Sequence, residues 1–97
     1  MNKQDSNVKK FLNYLMSKDS TSATDKMVYV FTVHNPAAYE RSLKYVFPEK
    51  HSQPGIEALN NLKEFVEKHQ EMFVLPYDGS INMADVNYEK VFKVLFL

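Results

Sequence analysis

The segment His34-Asn35-Pro36, followed by Tyr39 and Arg41, holds the residue types that best suit chemistry in this chain. An imidazole is a general base near neutral pH, and free amides at a helix start favour anions. The preceding stretch Met27–Val33 reads as a strand, so this group falls at its carboxyl end, where open α/β sheets collect ligands. Asp78 lies in the turn Tyr77-Asp78-Gly79-Ser80 after a second expected strand. If the two strands run parallel, its carboxylate approaches His34 and fixes the imidazole tautomer. The ligand-binding candidates are therefore His34, Asn35, Tyr39, Arg41 and Asp78. A plainer reading needs no ligand: Asn35 caps a helix that Pro36 begins, and His34 is a surface residue.

Other chemistries find little support. His34, His51 and His69 lack metal-ligand spacing, and His69 near a helix end suits carbonyl capping better than ligation. No serine sits in a G-x-S-x-G turn, and two glycines cannot build a phosphate loop. Glu64, Glu67 and Glu71 read as a solvated helix face. No catalytic residue, metal or cofactor is expected. Lys3, Lys9, Lys10 and Lys18 with Tyr14 are the nearest thing to a nucleic-acid surface, and they are too few to form a stripe.

Interaction surfaces are better represented. Tyr45 falls off the apolar stripe of its helix near Arg41, and both types are favoured interface anchors. Val91–Leu97 is more apolar than one buried face requires, which points to Phe92, Val94 and Phe96. Such a segment is either a central core element or one whose second face another subunit covers. The partner is then another protein or a second copy of this chain.

The elements that must position these residues follow from periodicity. Val8, Phe11, Leu12, Leu15 and Met16 predict an amphipathic helix from about Ser6 to Lys18. The polar run 18–26 predicts a flexible loop, long enough for that helix to move or be exchanged. Met27–Val33, β-branched and aromatic, predicts a central strand. Helices are expected from Pro36 to Phe47 and from Pro54 to His69, and a second strand over Glu71–Pro76. The last segment fits a short strand at Ser80–Met83 and then a helix, although strand alternation also fits it. The expected fold is α+β: a small two- to three-stranded sheet packed by three or four helices, in the order α-β-α-α-β-β/α.

Ninety-seven residues with 44% hydrophobic and 25% charged composition make one globular domain. Twelve basic and twelve acidic residues cancel, although residues 1–50 carry +3 and residues 51–97 carry −3. No apolar run approaches the roughly 20 residues needed to span a bilayer. Asn13 and Lys18 interrupt what would be a signal peptide's apolar stretch. Without cysteine, thiolate and disulfide chemistry are excluded, and a reducing, cytoplasmic setting is expected. Together these features predict a small non-catalytic interaction protein, with the His34 ligand site as the alternative.

Overall fold

The computed structural model describes residues 3–16, 22–75 and 79–97, and it is mainly helical rather than α+β. Five α-helices are described: α1 Lys3–Met16, α2 Ala23–Tyr29, α3 Pro36–Val46, α4 Ile56–Lys68 and α5 Tyr88–Phe96. The widest departure from expectation is Met27–Val33. These residues form no strand: α2 runs directly into a π-helical turn, Val30–His34, making one continuous rod.

The reason lies in burial on every side. Met27, Val28, Val30, Phe31 and Thr32 are all fully buried, so the rod is apolar all round. Continuous apolarity fits a core helix as well as a two-faced strand. A helix start decides between them. Ser22 Oγ accepts the Asp25 amide at 3.3 Å and the Asp25 carboxylate accepts the Ser22 amide at 3.0 Å, a reciprocal capping box. The loop expected over 18–26 therefore gives way to helix at Ala23, and residues 17–21 lie outside the described residues. Further along, Thr32 Oγ1 donates to the Val28 carbonyl at 2.6 Å, and the Asn35 amide closes the π turn on Val30 at 2.8 Å.

The second expected strand shrinks likewise. Gln70–Phe73 is a 3-10 turn, and only Val74–Leu75 is extended. It pairs antiparallel with Gly79–Ser80, a two-residue contact instead of a packed sheet. The short strand expected at Ser80–Met83 is extended only at Gly79–Ser80, and a 3-10 turn, Met83–Asp85, leads to α5, the helix expected for the last segment. Asn87 caps that helix, its side chain accepting the Lys90 amide at 3.2 Å.

Around the rod, α1 and α3 pack on its π turn and α5 packs on α2, while α4 closes over α3 and α5. Phe31, Phe65 and Phe73 form the aromatic centre, with centroids 5.1–6.5 Å apart. No helix among the described residues is long and apolar enough to cross a membrane.

Candidate functional site

The helical rod redraws the His34 neighbourhood. There is no strand end, so His34 closes the π turn instead: it is exposed, with its ring stacked on Tyr29 at 6.3 Å. Asn35 starts α3 without a side-chain cap, using its carbonyl to accept the Ala38 amide at 2.9 Å. Tyr39 turns toward α5, donating to the Leu95 carbonyl at 3.3 Å and stacking on Phe96 at 5.6 Å. Arg41, also exposed, reaches the Met72 sulfur at 3.8 Å. Asp78 lies outside the described residues. These contacts tie each of the four described candidates to a residue outside the group. His69 behaves as a capping histidine, with Nδ1 2.9 Å from the Phe65 carbonyl and its ring on Phe65 at 4.4 Å. Among the described residues no cluster of side chains suits a metal ion.

The interface candidates are largely internal. Phe92 is buried and Phe47 lies 6.2 Å from it. Phe96 is held between Tyr39 and Phe47. Because α1, α2 and α4 all pack on α5, most apolar residues of this segment are covered within the chain, while Leu97 stays 70% exposed. Tyr45 is half-buried: its hydroxyl donates to Glu64 at 2.7 Å, and Lys68 lies over its ring. The Lys68 ammonium, together with the Tyr45 hydroxyl, holds the Glu64 carboxyl below its ordinary range. Val94 lines an open cleft against α1, and Phe92 lines another beside Ile56, Leu59 and Leu97.

Two features of α1 went unread in the sequence. The first is its rotation. The apolar stripe Val8-Phe11-Leu12-Leu15-Met16 should face the core, yet the residues buried deepest are Asn7 and Tyr14. At 3.6 residues per turn the inward face sits roughly 100° from the centre of the stripe. Polar contacts hold it there. Asn7, Thr24 and Asp25 are buried polar residues, and Tyr14 is buried with them. The Tyr14 hydroxyl lies against Asp25, and burial, reinforced by that carboxylate, raises its pKa well above the ordinary phenol value. Thr24 Oγ1 in turn accepts the Asn87 amide at 2.8 Å. Phe11 packs edge-on to Tyr29 at 5.3 Å, and Lys10 Nζ donates to the Leu95 carbonyl at 3.2 Å. As a result Leu12, Leu15 and Met16 stand 51%, 36% and 86% exposed.

The second feature is a cleft of about 400 Å³ on the other flank of α1, against α5. Lys10, Asn13, Tyr14, Lys90, Lys93 and Val94 line it. Lys10 sits beside Leu95 while Tyr14 shares the cleft with Lys90, so the two helices cross it in opposite directions. A larger cleft of about 460 Å³ lies where the α3–α4 connection meets α4, with Glu49, Glu57 and His51 on its walls. Comparison with protein-family models, with curated proteins and with solved structures finds no match to this chain.

Proposed function

We propose that the chain is a non-catalytic protein-binding module that works by presenting α1. The observation supporting this reading is the outward apolar stripe: three large apolar residues, Leu12, Leu15 and Met16, on one helical face in solvent. Single exposed apolar residues are ordinary, whereas several contiguous ones on one helix match the anchors of a helix-in-groove contact. The stripe thereby takes over the role expected of Phe92, Val94 and Phe96. The partner is a second protein with an apolar groove, or another copy of the chain.

The test uses the tagged full chain and a double variant, Leu12→Lys with Met16→Lys. Partners captured from native lysate at about 0.3 M salt, where surface charge attraction is screened, should be lost from the variant. Sedimentation analysis of the pure protein separates self-association from a foreign partner. Capture that survives the double substitution sinks the proposal, because these are the two most exposed side chains of the stripe.

A further inference from the structure

We infer that the cleft between α1 and α5 binds a compact polyanion of the phosphate-ester or pyrophosphate class. This inference does not depend on the outward face of α1, and it uses different residues. Three ammonium groups, Lys10, Lys90 and Lys93, line one cleft, and among the described residues its lining holds no carboxylate. Folding assembles them from two helices eighty residues apart in the chain. Gathering like charges on one wall is unfavourable, and a bound dianion reverses the sign of that interaction. Lysines act at such sites as point charges that do not require the planar geometry of arginine.

The cleft is also organised for the task. Lys10 is held in place, donating to Leu95 at 3.2 Å with its ammonium 5.7 Å from the Tyr39 ring centre. That contact covers a carbonyl at the C-terminal end of α5, which would otherwise repel an anion. Asn13 supplies an amide donor, while Tyr14 and Val94 give an apolar wall for the organic part of an ester. A volume of about 400 Å³ falls within the range of small-molecule sites. Long polyanions are poorly served, because the chain's charges sum to zero and supply no extended basic stripe.

The test is a titration of the full chain with inorganic pyrophosphate at about 0.15 M salt, followed by amide NMR shifts and calorimetry. One saturable site is expected, with a Kd below about 1 mM, and with shifts centred on Lys10, Asn13, Tyr14, Lys90, Lys93 and Val94. The exposed pair Lys90→Ala and Lys93→Ala should weaken binding at least about tenfold. Lys44→Ala with Lys50→Ala, exposed lysines elsewhere, should leave it unchanged. Parallel titrations with inorganic phosphate and ADP identify the source: tighter ADP binding indicates a nucleotide seated on the apolar wall, and equal binding indicates an isolated phosphoryl group. The inference is overturned by lack of saturation at about 10 mM, or by equal weakening in the distal pair. Tighter binding of an acidic hexapeptide than of pyrophosphate also overturns it, since the cleft would then be a protein-docking surface.

Discussion

Substitutions in α1 should reverse the order of cost that its hydrophobic pattern implies. Leu12→Lys with Met16→Lys removes two of the five apolar residues of the stripe, and by pattern alone should unfold the helix from the core. Met16 is 86% exposed and Leu12 51%. Burying a leucine or methionine completely is worth about 1.5–3 kcal/mol, so the remaining burial here amounts to about 1–2 kcal/mol for the pair. Lysine matches leucine in helix propensity, so no backbone term is added. Tyr14→Ala, by contrast, deletes an aromatic ring that is 5% exposed. Large-to-small changes at such sites cost about 3–5 kcal/mol, and the Asp25 carboxylate loses the hydroxyl beside it. Urea unfolding followed by far-UV circular dichroism separates the two. With an m-value near 1.5 kcal/mol/M, Tyr14→Ala should lower the midpoint by about 2–3 M, and the double lysine variant by less than about 1.3 M. A larger loss from the lysine pair than from Tyr14→Ala would refute the rotated placement of α1, and with it the exposed docking face.

Three further outcomes are expected. The raised pKa of Tyr14 means that the unfolded chain loses the phenol proton near its ordinary value of 10.0 while the folded chain retains it. Stability should therefore be unaffected by this group below pH 10 and fall above it, by at most about 1.4 kcal/mol per pH unit. Tyr14→Phe should flatten that decline in urea midpoints measured between pH 9 and 11, leaving a smaller slope from half-buried Tyr88, whose pKa burial also raises. Ser22→Ala breaks the capping box of α2 and should cost about 1 kcal/mol, read as a lower urea midpoint and faster amide exchange at Asp25. Glu64→Gln removes the exposed contacts with Lys68 at 2.8 Å and Tyr45 at 2.7 Å and should leave the urea midpoint unchanged.

The legible parts of the fold are those where one periodicity has one explanation. Pro36 and the stripe Tyr39-Leu43-Val46 give α3, and the spacing of Ala58, Leu62, Phe65 and Val66 gives α4. Met27–Val33 misleads because β-branched residues in a fully buried rod lose the alternation that separates strand from helix. The nearby sign was Ser22-x-x-Asp25, a capping box hidden in a run of serines and threonines that otherwise resembles a loop. Helix α1 misleads differently: its stripe is real, but Asn7 and Tyr14 are the side chains it buries, with the Tyr14 hydroxyl against Asp25 of α2. The His34 group is expected at the end of a strand, and that stretch is a helix. The lysine cleft had no local signal at all, since Lys10 meets Lys90 and Lys93 only through the tertiary contact of α1 with α5.

The π turn at Val30–His34 sets more than the path of the central rod. Its extra backbone reach, from the Asn35 amide to the Val30 carbonyl, amounts to one residue beyond an ordinary helical turn. Deleting one residue there would restore regular α-helical bonding, a local improvement. Yet each residue in a helix carries about 100° of rotation, so everything downstream would be turned out of phase. Ala38, Ser42 and Val46, which α3 now buries, would swing away from their present partners. The segment therefore acts as a phase-setting spacer. Its side chains should tolerate conservative exchange while its length tolerates none, so insertions and deletions here are the changes this fold is least able to absorb.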